Sequence, residues 1–320
     1  MRSVLICSAF LIMVSLSVFS EVPPGMGAAS YARRGVDARP IAMGGAFVAI
    51  AEGSSAAYYN PAGLVRMPRL NVGGMYTEPF GEGFGVTFQY LSVSGTLPLQ
   101  TSSLVAQVGL GISWLGFEIS DIPIWNEEGS EGTFTALSSI YLLSLGLAFP
   151  GGAEWTIGAS AKLYRESILE GRGEGLGVDL ALLGSFFVAD MPIAIGVNAM
   201  DIGKTKILWR GTAGEPENYV PWVNKLGLAV PLWEGRALLA CDFDWAVGRP
   251  PREQTVHLGV EVQPLDALFL RGGFNANLEG AGEFSCGLGI RLFDNFSVDY
   301  AYLLTKVFGG SHLISAQFVF

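Results

Sequence analysis

Charge is scarce in this sequence: 15% of its 320 residues are Asp, Glu, Lys or Arg, against about a quarter in ordinary soluble domains. Histidine is scarcer still, with two in the chain, and there are three cysteines. Two histidines are too few for a multi-histidine metal centre or a histidine-based catalytic group of any elaboration, and no HExxH, P-loop or CxxC pattern occurs. No catalytic residue, metal site or cofactor is expected, and the chain reads as a non-enzyme. A basic excess is missing as well. The formal net charge of −10 disfavours nucleic acid as a partner, because that affinity rests on neutralising phosphates. Long apolar runs are also absent: past residue 20 no stretch of about 18 uncharged apolar residues is available to cross a bilayer as a helix.

What remains is apolar all the same. Half of the residues are hydrophobic, 43 are glycine, and the mean hydropathy is +0.40. Disordered chains are poor in such residues. A chain this apolar without helical spans is accounted for if apolar and small or polar residues alternate around a closed transmembrane antiparallel β-barrel.

The two ends agree with that reading. Arg2 precedes an apolar stretch from Val4 to Val14, and small residues follow up to Ser20, the parts of a secretory signal peptide. Cleavage is expected after Ser20, which leaves Cys241 and Cys286. The last ten residues alternate as a strand, with Phe318 and Phe320 in one register. A final strand with a terminal aromatic resembles the sorting signal of bacterial outer-membrane barrels. The implied partner is the barrel-assembly machinery.

Between the ends, period-2 alternation marks strands, because successive strand side chains face opposite sides. Phe284, Cys286, Leu288, Ile290 and Leu292 alternate with Ser285, Gly287, Gly289 and Arg291. Val256, Leu258, Val260 and Val262 alternate with His257, Gly259, Glu261 and Gln263. One face is apolar and suits lipid; the other is small or polar and suits a crowded lumen. Fourteen strands are predicted, at about 69–77, 84–94, 103–119, 133–149, 154–168, 174–189, 192–201, 221–231, 236–246, 254–263, 266–275, 282–293, 295–304 and 311–320. Most even-to-odd connections are tight. The longest connections, Ser120–Gly132, the glycine-rich Glu170–Gly175 region and Ile202–Pro221, are odd-to-even. Short periplasmic turns and longer external loops then place both termini in the periplasm of a bacterial outer membrane. Cys241 and Cys286 fall on the lipid face of non-adjacent strands, too far apart to bond. Gly171–Gly175 reads as a surface turn rather than a phosphate loop, and Asp242 with Asp244 falls short of the six to eight ligands calcium takes.

Residues 28–65 do not read as strand. The segments Ala42-Met43-Gly44-Gly45-Ala46 and Tyr59-Asn60-Pro61-Ala62-Gly63, followed by Ile157–Lys162, Asn198–Gly203, Leu270–Gly273 and Val298–Tyr302, resemble the FadL-like outer-membrane barrels, and within them the PorV/PorQ and UPF0164 branch. The likeness runs over residues 28–320. Glu52-Gly53 departs from it, where the family tends to have paired aspartates. The resemblance implies a fourteen-stranded barrel whose N-terminal segment, residues 21–68, folds into the lumen as a hatch, with residues 69–320 as the barrel. Met43, Gly44, Gly45, Tyr59, Asn60, Pro61 and Gly63 form the hatch motif.

Alternation turns a set of charges inward. Lys162, Lys225, Arg271 and Arg291 face Asp179, Asp242, Asp244, Glu261 and Asp299, and are expected to pair, since a buried unpaired charge is costly. The sharper expectation is that Arg271 and Lys225 together hold the head group of an amphipathic ligand. Two functions follow from the resemblance. One is a passive channel for hydrophobic or amphipathic small molecules, entered through an external pocket lined by Trp125 and Trp209. The other is a PorV-like barrel that receives or presents exported proteins. A structural barrel with a closed lumen, whose only partner is outer-membrane lipid, is the plain alternative to both.

Overall fold

The computed structural model describes residues 27–66, 70–81, 83–99, 105–126, 129–149, 155–189, 191–203, 205–247, 254–278, 282–305 and 309–320. The expected signal peptide lies outside these residues. Fourteen antiparallel strands close into a ring: β1 (Asn71–Thr77), β2 (Val86–Pro98), β3 (Gln107–Asn126), β4 (Gly129–Ala148), β5 (Trp155–Ile168), β6 (Gly171–Val188), β7 (Met191–Met200), β10 (Val223–Leu232), β11 (Ala237–Ala246), β12 (Thr255–Leu265), β13 (Leu268–Asn277), β14 (Gly282–Phe293), β15 (Phe296–Thr305) and β16 (Gly309–Val319). β1 pairs with β16, Asn71 opposite Val319, and β5 pairs with β6. Closure leaves the fourteen-stranded ring without an edge strand, which is what a lipid environment requires of strands. All fourteen lie where alternation predicts them.

The outer face is apolar, as the alternation implies. Ile112, Leu143, Leu258, Phe284 and Ile314 are all exposed, with Ile112 at 67%. Cys241 and Cys286 are exposed and free. The inner face carries the small and charged residues, among them Ser160, Lys162, Asp179, Asp242, Glu261 and Arg271, all buried.

Two expected loops are strand instead. Residues 120–126 continue β3 and residues 129–132 begin β4, and the two strands pair down to Asn126 and Gly129. Their alternation is broken by register shifts between Ile119 and Ile122 and between Ile124 and Trp125, with Asp121 at φ 57°. Bulges insert unpaired residues, so the period-2 signal is lost although the strand goes on. Gly171–Gly175 is likewise the start of β6 rather than a surface turn, and its glycines leave room for another strand. Within residues 202–221 a short hairpin forms, β8 (Lys206–Arg210) and β9 (Glu217–Tyr219), with β8 paired to Arg172–Gly175 of β6. Ile207 Cγ2 would stand 2.9 Å from a Cβ on Gly173. One wall of the ring is therefore taller at this rim.

Residues 27–66 form short turns of helix, including α1 (Ala38–Ala42), α2 (Ala56–Tyr59) and a 3-10 turn at Pro61–Arg66. Most of them are buried, and they pack inside the ring. The start of β1 and the end of β16 share the rim of short turns, as expected. The inserted segment begins at the other rim: the backbone N–H groups of Gly27 and Ala28 donate to Tyr219 O at 3.0 and 3.1 Å. Gly27 thus lies at the rim opposite the one at which β16 ends. The segment traverses the lumen before it enters β1.

Candidate functional site

The two sequence motifs brace opposite walls. Around the ring β4 and β5 stand diametrically across from β13 and β14. The Met43–Gly45 turn lies on the second wall. Gly44 and Gly45 have φ of +68° and +88°, a region glycine enters without penalty. A Cβ on Gly259 would meet Met43 O at 2.6 Å, and one on Gly273 would overlap the Gly44 backbone. Gly44 N–H donates to Ser285 Oγ at 3.0 Å, and Ser285 Oγ donates to Ala42 O at 3.2 Å.

The second motif lies on the first wall. Asn60 is fully buried. Its Nδ2 donates to Val48 O at 3.0 Å within the segment and to Leu182 O of β6 at 3.1 Å, while its Oδ1 accepts from Ala62 N–H at 3.1 Å. Asn198 Nδ2 donates to Tyr59 O at 2.9 Å. Tyr59 Oη bonds both the N–H and the C=O of Val36, tying the two halves of the segment together. Pro61 O would stand 2.8 Å from a Cβ on Gly146, and Gly63 packs on the backbone of Ala51. Gly44, Asn60 and the backbone of Met43, Tyr59 and Pro61 contact the wall, whereas the Tyr59 hydroxyl and Gly63 make contacts within the segment.

The charged residues fall into three groups. Lys162 bonds Asp179 and Asp201, each at 2.9 Å, and Tyr164 Oη donates to Asp201 at 2.8 Å. Lys225 pairs with Asp244, and His257 Nε2 lies 3.2 Å from the same carboxylate. His257 Nδ1 is 2.7 Å from Gly44 O. The third group is a chain of alternating charge from segment to wall. Arg39 of α1 bonds Glu52 at 2.6 Å and Glu261 at 2.8 Å, and Arg271 joins Glu261 at 2.6 Å to Asp299. Asp242 makes no ion pair among the described residues. Its Oδ2 instead accepts the N–H groups of Phe47 and Val48 at 2.7 and 2.8 Å. Arg291 is outside the network too: it is exposed and stands over the Phe269 ring at 5.1 Å.

Three participants escape an alternation argument: Arg39, Asp201 and His257. Arg39 carries a readable signal, as the only charge between Asp37 and Glu52. A lone cation in a buried apolar stretch must find carboxylates. Asp201 follows the last residue of β7, past the reach of period 2, and His257 was visible on the polar face but has no charge of its own in the neutral state.

The segment separates two cavities. One, of about 300 Å³, opens toward the β8–β9 rim and has Gly44, Gly45, Lys225 and His257 in its wall. The other, of about 370 Å³, opens toward the rim of short turns and is lined by Arg39, Phe47, Glu52, Arg271 and Arg291. No residue lines both. Lys225 and Arg271 thus face different cavities and cannot share one head group, contrary to expectation. Trp125 is exposed at the β3–β4 tip, whereas Trp209 is buried on β8; neither lines these cavities. On the hairpin outside the ring, Lys206 Nζ donates to Glu217 at 2.7 Å and holds that carboxyl below its ordinary range.

No protein-family model and no curated protein sequence matches the chain. Solved structures do. The Pseudomonas putida toluene transporter TodX is 14% identical over 89% of this chain and 99% of that one, with a TM-score of 0.57. The monoaromatic hydrocarbon channel CymD is 13% identical over 89% and 98%, at 0.59. A Pseudomonas aeruginosa FadL homologue is 12% identical over 89% and 98%, at 0.56. With its closed ring of fourteen strands, the chain has the fold of these FadL-like channels.

Proposed function

We propose that the chain is a bacterial outer-membrane barrel that works as a passive channel for hydrophobic or amphipathic small molecules, with residues 27–66 as its gate. The observation that carries this reading is the single segment that divides the lumen into two cavities, each open to one rim. Its seats are hydrogen bonds, ion pairs and glycine contacts rather than covalent links, so a shift of the segment would join the cavities. The apolar outer face supports a bilayer location, and the likeness to hydrocarbon channels supports the cargo class. The test is uptake of labelled benzyl alcohol and 2-naphthoate by Gram-negative cells that express the chain. Faster uptake of at least one than in cells with an empty vector is the expected result; no excess for either contradicts a channel.

A second reading, a barrel that receives exported proteins, is favoured by one observation. The long β3–β4 hairpin presents Trp125 at its tip, 71% exposed, as a contact residue would be presented. A stable protein partner lost on Trp125→Ala would support it.

A further inference from the structure

The Met43–Gly45 turn rests on a histidine whose two ring nitrogens both face acceptors. His257 lies on β12 with its side chain turned into the lumen. Its Nδ1 is 2.7 Å from Gly44 O, and its Nε2 is 3.2 Å from an Asp244 carboxylate oxygen that Lys225 shares. A Cβ on Gly45 would stand 2.9 Å from Nδ1, so the ring lies directly against the turn. A neutral imidazole has one N–H and one lone pair. In either tautomer that lone pair would point at an oxygen that cannot donate. Only the imidazolium, with two N–H groups, satisfies both contacts.

The charges around the ring ask for the same state. Asp242 is directly opposite His257 on β11, Asn275 is opposite it on β13, and Lys225 on β10 is opposite Asp244. Lys225, Asp242, Asp244 and a charged His257 balance. With a neutral ring, one carboxylate is in excess. Arg33, Arg34 and Tyr58 of the segment and Glu283 of β14 line the same cavity. Glu283 acts on Arg34 and accepts from Asn275 Nδ2 at 3.5 Å, Arg33 has a partner as well, and Tyr58 Oη donates to Ala32 O at 2.6 Å. The cavity opens toward the β8–β9 rim, and the His257 side chain is 14% exposed, so water from that side reaches the ring.

The other seats of the segment lack this property. On the opposite wall Asn60 and Asn198 hold it through amide groups, which do not titrate. Arg39, bonded to Glu261, keeps its charge at any ordinary pH. Asp242 would act in the other sense, because a carboxylate accepts the N–H groups of Phe47 and Val48 more strongly than a carboxylic acid does.

We propose that His257 is a pH-responsive positioning residue, which clamps the Met43–Gly45 turn to the wall as an imidazolium and loosens it when its proton leaves to the water of the cavity. A neutral ring protonated at Nδ1 keeps Gly44 O and turns its lone pair on Asp244. One protonated at Nε2 does the reverse. Either way one contact becomes repulsive and the wall gains a negative charge. The brace is therefore strongest at low pH and is lost as pH rises through the histidine range. The seating effect stands apart from transport. Its meaning as control of a gate by the pH on the β8–β9 side rests on the channel reading.

The test uses the full chain in nanodiscs with nitrogen-15 in its histidines. There are two, and His312→Gln identifies the His257 signals. At about pH 5.5, below the ordinary histidine value of about 6.5, both His257 nitrogens are expected to carry protons. Limited proteolysis of the segment, corrected at each pH for cleavage of a free peptide of residues 27–66, is expected to quicken about fivefold or more from about pH 5.5 to about pH 9. His257→Gln, whose amide offers Gly44 O a donor without a charge, is expected to be cut at one rate throughout. A neutral His257 at the low end, a corrected rate that is flat or falls as pH rises, or a pH course unchanged in His257→Gln would overturn the proposal. If that variant does not fold, the nitrogen signals and the pH course of the unaltered protein still decide. Seating that loosens with pH while 2-naphthoate uptake stays constant would leave His257 in its role and refute residues 27–66 as a gate. Uptake with seating indifferent to pH would leave the channel and refute the role of His257.

Discussion

Asp242 shows at a single residue how the lumen holds its insert. The side chain is 1% exposed and spends its carboxylate on two backbone N–H groups of the segment, at Phe47 and Val48. A buried donor left without a partner costs about 1–3 kcal/mol. Asp242→Ala is therefore expected to weaken the seating of residues 46–49 by about 2–5 kcal/mol, while the ring, which closes through its own backbone pairs, stays intact. Limited proteolysis reads this directly. The N-terminal segment should be cut faster in the variant, while the barrel keeps its heat-modifiable mobility on gels. Equal cleavage in both proteins would show that Asp242 does not hold the segment. The inward direction of Asp242 was legible in the sequence because Leu239, Cys241 and Phe243 alternate with it. Its partner was not. Backbone N–H groups carry no side-chain signature, so a carboxylate that binds them looks in sequence like one that waits for a lysine.

At the scale of elements, the strands were legible and the connections were not, for a physical reason. A half-buried strand shows itself in every second residue, which is why β12 and β14 could be read residue by residue. A bulge breaks that count, and the shifts beside Ile122 and Trp125 hid a third of β3. The glycines at 171, 173 and 175 read as a turn because glycine serves turns and close approaches alike. Here they make room for Ile207 and Trp209 of β8. The rim with these long elements is proposed to face outward, since external connections of outer-membrane barrels are the more elaborate ones. Cysteines introduced at Gly129 and Gly214, in protein whose Cys241 and Cys286 are replaced by serine, should react with a membrane-impermeant maleimide on intact cells. A cysteine at Gly235, on the other rim, should react only after lysis. The opposite pattern would invert the orientation.

The whole molecule is a ring with residues 27–66 packed inside it. The ring's apolar exterior was foreseeable from composition and alternation together, and the placement of the segment came from the resemblance its two motifs carry. What the sequence did not reveal is that the motifs brace opposite walls, or that the chain starts its passage at the far rim; both depend on contacts between residues hundreds of positions apart, such as Gly44 with Ser285. Gating requires that this centre move. A Cβ on Gly111 of β3 would stand 3.6 Å from the Cβ of Ala57 in α2, within the roughly 3.5–4.5 Å that a disulfide spans. Gly111→Cys with Ala57→Cys, again without Cys241 and Cys286, therefore fastens the segment to the wall with little displacement of backbone. The decisive measurement is uptake of labelled 2-naphthoate by cells expressing this double variant, with and without reducing agent. Oxidation is expected to lower uptake to the empty-vector level, and reduction to restore it. Equal uptake above that level in both states, with the disulfide verified by thiol titration, would contradict a lumen gated by residues 27–66.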